Sequence, residues 1–309
     1  MPASKQKISS LIKSSASELG FAACGIAQAE HLHDESEYLR NWLQKGYHAG
    51  MAYMNRNVDK RLNPALLNEW ARSVIVVLFN YYPGNNSKMQ SSYKISKYAY
   101  GKDYHEVMKA KLRQLVDIIE DEIGEITARV LVDSAPVFER AWARKSGLGW
   151  TGKNACLISK EMGSFFFIGT IITNLELAYD QASASSSCGN CTKCMDACPN
   201  GAIVEPGVVD SRKCISYLSI EHKGAFNKDQ QGKLHSWIFG CDICQDVCPW
   251  NRFARPHAEA AFLPSPGLLQ MKDSDWEQLT KDKFDELFKD TAVERTGYTA
   301  LQRNIEHRE

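Results

Sequence analysis

The chain carries no surplus of charge. Its 309 residues hold 37 Lys and Arg against 37 Asp and Glu, which excludes the broad basic coat of a general nucleic-acid binder and leaves any RNA contact to a local patch. Long apolar runs are missing too. The longest, 74–79 and 165–172, fall far short of the ~20 residues that span a bilayer. The N-terminal MPASKQKISS has no apolar segment behind it, so no secretory signal is expected and the default address is the cytoplasm, with no membrane partner. Cysteine is scarce along most of the chain: eight of the ten lie between Cys188 and Cys248, and only Cys24 and Cys156 lie outside. A disulfide scaffold would spread its cysteines over a small secreted chain. Tight clustering in a cytoplasmic one points to metal. The composition is otherwise ordinary, 44% hydrophobic and 24% charged, so a sizeable core is expected, in about two domains at ~150 residues each.

Periodicity outlines the organisation. Helices are expected over 5–19, with Ile8, Leu11, Ile12 and Leu19 on one side, over 34–45, and over 104–123, where Val107, Met108, Leu112, Leu115, Ile118 and Ile119 form a stripe. Strands are expected over 21–27, 74–80, 126–133, near 155–159 and over 164–172. A helix over 135–147 would have Pro136 near its start and Gly147 at its end. The glycine-rich turn GLGWTGKN follows it. Residues 1–177 therefore read as one α+β domain, joined through the polar QASASSS (181–187) to a cysteine module within 178–255. Residues 256–309 read as a mostly helical tail with Trp276, Leu279, Phe284, Leu287 and Phe288 as its apolar face.

The module has two groups. The first is Cys188-x2-Cys191-x2-Cys194-x3-Cys198-Pro199; the second is Cys241-x2-Cys244-x3-Cys248-Pro249. This is bacterial ferredoxin spacing for two [4Fe–4S] clusters, in which the cysteine before proline reaches across to the other cluster. Ile238 stands where the second group should have its first cysteine, and Cys214 is the remaining cysteine to take that place. One cluster then takes Cys188, Cys191, Cys194 and Cys248, and the other Cys198, Cys214, Cys241 and Cys244. Structural zinc is the competing use of such thiols, but zinc ribbons favour CxxC pairs separated by a longer gap. Cys24 and Cys156 read as small buried hydrophobes.

Three further segments carry a resemblance: YAYGKDYH (98–105), VDSAPVFERAWARKSGLGWTGKN (132–154), and CISYLSIEHKG (214–224) running on to FGCDICQDVCPWN (239–251). With the tail from FLPSPGLLQM to ALQRNI, they resemble the epoxyqueuosine reductase family over most of the chain; its longer members add a helical-repeat domain that this length does not accommodate. The resemblance implies an N-terminal cobalamin-binding domain of the nitroreductase-like and reductive-dehalogenase-like kind, a ferredoxin-like two-cluster domain and a helical tail. It implies reduction of the epoxide of epoxyqueuosine at the tRNA wobble position to queuosine, with loss of water. An external flavodoxin- or ferredoxin-like electron donor is expected, and a monomer.

The same resemblance implies particular roles. Asp133, just past a strand, becomes the proton donor, kept protonated by burial beneath a corrin and away from cations; an N-terminal helix cap is the ordinary alternative. Arg61, Asn154, Ser216, Cys241 and Asp242 become cobalamin contacts, with a plain surface arginine the alternative for Arg61. Gly147, Gly149 and Gly152 would let backbone approach a macrocycle. Tyr98, Tyr100 and Tyr104 line a pocket or pack in the core. Some relatives have a cysteine before the YAYGKDYH match, where this chain has Ser96 and Lys97, so no thiol role is carried over. No DxHxxG pattern is present to put a histidine on cobalt. For tRNA, Trp250, Arg252, Phe253 and Arg255, and in the tail Lys281, Lys283, Arg295 and Arg303, are candidates, set against a solvated mixed-charge face. Two other functions compete: a reductive dehalogenase acting on a small molecule, and a non-catalytic iron–sulfur electron carrier.

Overall fold

The computed structural model describes residues 4–85, 87–182 and 186–308; residues 183–185 of the expected linker lie outside the described residues. Its N-terminal domain is built on a four-stranded antiparallel sheet. The strands are β1 (Ala23–Gln28), β2 (Ser73–Asn80), β3 (Ala128–Leu131) and β4 (Phe166–Thr173), in spatial order β1-β2-β4-β3. Side chains alternate across a strand, so a continuous apolar run has to be covered on both faces. In β2, Ile75, Val77 and Phe79 pack with Ile12 of α1 (Lys5–Glu18) and with Met108, Leu112 and Leu115 of α2 (Tyr104–Ile123). Val74, Val76 and Leu78 pack the other way, with Leu39 and with Ala141 and Trp142 of α3 (Glu139–Lys145). The result is a sheet between two helical layers. Gly169 shows how tightly they fit: a Cβ there would lie 2.7 Å from Met108 Cε and 2.8 Å from Leu112 Cδ1.

The expected helix over 135–147 is shorter. It starts at Glu139, and Pro136 lies outside it. Pro136 disfavours the α region for Ala135 before it, and the Val137 N–H turns back to the Ala135 carbonyl at 2.8 Å; Asp133, upstream, has a φ of +56°. Residues 132–138 are loop instead, with the Ser134 N–H donating to the Val132 carbonyl at 2.6 Å.

The cysteine module has two short helices, Lys193–Asp196 and Ile243–Asp246, each inside one cysteine group. A strand at Trp237–Phe239 pairs in parallel with Lys94–Ile95 and joins the module to the N-terminal domain. The tail supplies helices at Pro266–Gln270, Asp273–Glu277, Lys281–Phe288 and Tyr298–Glu306. Trp276, Phe284, Phe288 and Leu301 form a core with Ile238 and Phe239, so Ile238 faces the tail. Asn304 is fully buried, and its Nδ2 donates to the Ser219 carbonyl at 2.7 Å and the Ile238 carbonyl at 2.9 Å. Ser219 lies in the wide helical turn Tyr217–Glu221, whose free carbonyls need such partners. Among the described residues no helix is long and apolar enough to cross a membrane.

Candidate active site

The module's thiols gather in two sets. Cys188, Cys191, Cys194 and Cys248 line one cavity of about 200 Å³. Cys198, Cys214, Cys241 and Cys244 are mutual neighbours in a second set. Burial raises the Cys214 thiol, and the nearby Cys198 sulfur adds to the effect. Burial likewise pushes Cys241 up to about 12, with Cys214 and Cys198 contributing. Backbone N–H groups are aimed at these sulfurs: those of Ser216 and Tyr217 at Cys214, that of Ile243 at Cys241, and that of Ala202 at Cys198, at 3.2 Å. Buried thiols that resist ionisation alone, yet face N–H donors, suit a metal centre that would hold them as thiolates. The four thiols line a cavity of about 200 Å³, room for a body larger than one ion.

Cys156 is not merely a small hydrophobe. Its thiol hydrogen-bonds with that of Cys244, which makes it a fifth sulfur beside the second set. Asn154 fixes it there: buried Asn154 accepts the Cys156 N–H at 3.2 Å through Oδ1 and donates through Nδ2 to the Cys244 carbonyl at 3.3 Å. Cys24 does pack against the sheet core, and burial pushes its thiol up to about 12.

Asp133 stands on its strained loop with its N–H donating to Glu139 Oε1 at 2.8 Å. Its side chain is 62% exposed to the cleft. It is not remote from cations, as the sequence reading expected. His105 Nε2 lies 3.2 Å from Asp133 Oδ2, and Arg295, from the tail, reaches the same group. The cleft walls raise the Asp133 carboxyl by desolvation, but His105, Tyr104 and Arg295 outweigh this and hold it below the usual carboxylate range. Glu139 behaves oppositely: burial, and then the Asp133 charge, push it well above its ordinary value. Desolvation lowers His105, but its bonds to Asp103 and Asp133 dominate and raise it. The ring is held from all sides. Asp103 Oδ1 lies 2.6 Å from Nδ1, and the Tyr104 ring is sandwiched between His105 and Phe167, at 4.1 Å from each. Neither His105 nor Arg295 was singled out for this site from sequence. The Asp-x-His of YAYGKDYH was the available signal, since a helix-capping Asp two residues before a His can hold its Nδ1.

Of the other expected contacts, Arg61 lies near Asp133, Asn154 beside Cys244 and Cys156, Asp242 next to Lys97, and the Ser216 N–H faces Cys214. Arg61 Nη2 donates to the Tyr53 carbonyl at 3.0 Å, and its guanidinium feels the Asp133 charge. Arg61 Nε is buried with no hydrogen-bond partner, an orphan donor suited to an acceptor group of a bound cofactor. Tyr53 Oη donates to Glu221 at 3.3 Å. Tyr98 is flanked by Asp133 and Asp242 and raised mainly by burial. Asp242 is 2% exposed and accepts the Lys97 N–H at 2.9 Å and Nζ at 3.3 Å. Tyr100 lines a separate open cavity of about 980 Å³, shared with Lys97 and Asp242.

The glycine loop and the basic tail both make close contacts within the chain. The glycine loop is tight because of the protein itself: a Cβ at Gly149 would meet the Ile158 carbonyl at 2.2 Å, at Gly152 the Ile158 side chain at 2.4 Å, and at Gly147 the Gln181 carbonyl at 2.7 Å. The basic tail residues are engaged within the chain. Lys281 pairs with Asp285, Lys283 with Glu286, Arg295 with Asp103, and Arg303 donates to the His222 and Gly224 carbonyls. Around the module, Trp250 packs against Trp150 and Arg252 lies over Phe253, which is 39% exposed.

A double-thiol module set beside an acid–imidazole cleft in an α+β domain defines an iron–sulfur oxidoreductase. Residues 187–251 match the 4Fe-4S double cluster binding domain, and residues 61–134 match "Epoxyqueuosine reductase QueG, DUF1730". The epoxyqueuosine reductase of Cyclobacterium marinum is 52% identical over 301 residues, covering 97% of this chain and 96% of that one. The chain belongs to the epoxyqueuosine reductase family. A crystal structure of an epoxyqueuosine reductase with a tRNA-Tyr epoxyqueuosine-modified stem loop superimposes with a TM-score of 0.86 at 28% identity, covering 96% of this chain and 80% of that one. The Bacillus subtilis epoxyqueuosine reductase, with its catalytic Asp loop swung out of the active site, gives 0.85 at 28% identity over the same shares. The catabolic reductive dehalogenase NpRdhA shares the fold, with a TM-score of 0.52 at 17% identity over 84% of this chain and 34% of that one.

Proposed function

We propose that this chain reduces epoxyqueuosine in the anticodon loop of tRNA to queuosine, taking electrons from an external flavodoxin- or ferredoxin-like carrier through two [4Fe–4S] clusters to a cobalamin. Cys188, Cys191, Cys194 and Cys248 hold one cluster; Cys198, Cys214, Cys241 and Cys244 hold the other. The grouping of the eight thiols around two centres supports that division. Arg61, Asn154, Ser216, Cys241 and Asp242 hold the cobalamin. The orphan Nε of Arg61, and the nearness of Asp133 to Arg61 and to Tyr98, which also neighbours Asp242, support the assignment. Cobalamin supplies a strongly reducing centre for the epoxide. The residues do the rest: they keep the substrate's oxygen beside Asp133, and Asp133 protonates it as the carbon–oxygen bond opens, which spares the formation of a free alkoxide. The proposed organisation is a catalytic domain over 1–177, a cluster domain over 178–255 and a tail over 256–309, working as a monomer in the cytoplasm.

The single observation that carries this reading is that Tyr98 has both Asp133 and Asp242, the sequence neighbour of Cys241, as charged neighbours, in a chain 52% identical to an epoxyqueuosine reductase. The test is anaerobic turnover of reconstituted protein on a tRNA carrying epoxyqueuosine, with and without added cobalamin. Queuosine is expected only with cobalamin. Equal yield without it, or none with it in protein shown to hold both clusters, would overturn the proposal.

A further inference from the structure

Opening one epoxide to an alkene and water consumes two electrons and two protons, while a carboxyl carries one proton. The resting cleft also favours ionised Asp133. Asp133 must therefore be recharged during the reaction, and the geometry provides a donor. We propose that His105, held as an imidazolium by the Asp103 carboxylate behind it, recharges Asp133, so that Asp103, His105 and Asp133 form a proton relay. This inference rests on Asp133 being the proton donor.

The relay is continuous. Asp103 Oδ1 lies 2.6 Å from His105 Nδ1, and His105 Nε2 lies 3.2 Å from Asp133 Oδ2. Asp103 caps α2, accepting the His105 backbone N–H at 3.0 Å, so carboxylate and ring are fixed by one turn of backbone. The His105 side chain is 7% exposed and that of Asp103 16%, so the Asp103 carboxylate is a largely sheltered partner for Nδ1, while water reaches the Asp133 end. The stacked Tyr104 ring prevents the imidazole from swinging away. In each transfer the imidazolium gives its Nε2 proton to Asp133 Oδ2, its Nδ1–H stays bonded to the Asp103 carboxylate, and water restores the proton at Nε2. Two such transfers supply the two protons; the two electrons come through the clusters, and the epoxide oxygen departs as water.

Arg295 sets the readiness of the ring to give. Its Nη1 lies 2.6 Å from His105 Nδ1 and 2.9 Å from Nε2. Both nitrogens already face carboxylates, so the guanidinium acts on the ring as a charge and disfavours the imidazolium. The groups facing His105 are thus Asp103 and Tyr104 from α2, Asp133 from its loop and Arg295 from the tail, with Glu139 behind Asp133. His105 and Arg295 are positioning residues: they work through Asp133.

The test uses the holoenzyme and an epoxyqueuosine-bearing tRNA stem loop in single turnovers across pH, in normal and heavy water. His105→Gln should slow the step roughly 10²-fold, abolish the inflection from histidine in the pH profile, and leave stem-loop binding and iron content unchanged. Arg295→Gln should move that inflection to higher pH. A His105→Gln rate within threefold of the parent with an unchanged profile, beside an inactive Asp133→Asn, would overturn the relay alone; an active Asp133→Asn would overturn the donor assignment itself. NMR of the imidazole in protein without cobalamin gives a readout independent of turnover. His105 should titrate above an ordinary histidine and fall in Asp133→Asn, and no change in that variant would overturn the coupling.

Discussion

Crossed ligation of the clusters can be tested by removing thiols in pairs. Cys194 and Cys248 are 54 residues apart in sequence yet line the same 200 Å³ cavity. Cys194 and Cys198 are near neighbours in sequence, but Cys198 sits with Cys214 and Cys241. A fully loaded chain holds about eight irons, four per cluster. Cys194→Ala with Cys248→Ala takes two ligands from one set and none from the other. About four irons should remain, in a cluster with the parent's electron paramagnetic resonance signal and potential. Cys194→Ala with Cys198→Ala takes one ligand from each set, so neither cluster keeps its four thiolates and no parental signal should survive. The assay is iron per chain with reduced-state spectra after anaerobic reconstitution. The reverse pattern, with the parental signal kept by the 194/198 pair and lost by the 194/248 pair, would refute the crossing.

Asn304→Ala would strand the buried carbonyls of Ser219 and Ile238; at roughly 1–3 kcal/mol for each unsatisfied group, a loss of about 2–6 kcal/mol is expected in urea unfolding, and a loss below about 0.5 kcal/mol would contradict the clamp. Cys156→Ala removes the thiol that would donate to Cys244 once a cluster holds Cys244 as a thiolate. Hydrogen bonds to cluster sulfurs favour the reduced state, so the midpoint potential of one cluster should fall, read by anaerobic redox titration, while the other stays put. The Asp103–His105–Asp133 set also predicts a pH window for stability. His105 is raised in the folded state, so its contribution is complete below about pH 6.5 and fades as pH rises through its higher folded value. Asp103 and Asp133 are lowered, so theirs is present above about pH 4 and is lost on further acidification. The melting-temperature deficit of His105→Gln should therefore be larger at pH 5.5 than at pH 9; equal deficits would argue against charge as its source.

Much of the scaffold was legible because its signals are local. The run at 74–80 has to be a strand covered on both faces, and the stripe from Val107 to Ile119 has to be a helix. The cysteine groups announce their chemistry by spacing alone. What escaped depended on distant neighbours. Nothing near position 133 shows that Asp133 adopts a left-handed turn or that a histidine 28 residues earlier faces it. Arg295 resembled a solvated surface charge because its partners belong to another element. The glycines of GLGWTGKN were read as making room for a ligand, whereas Ile158 and Gln181 already fill the space beside them. Cys156 carries no motif, and its role follows only from where Cys244 folds back.

The contact between Arg295 and His105 also orders events during synthesis. The ribosome delivers the arginine 190 residues after the histidine, and Asn304 85 residues after the Ser219 carbonyl it serves. A nascent front half can close its sheet while its imidazole still lacks the balancing guanidinium and the 217–221 turn still lacks its clamp. Translation of the tail then supplies both, together with Phe262, which packs on Phe79 and Phe167 of the sheet core.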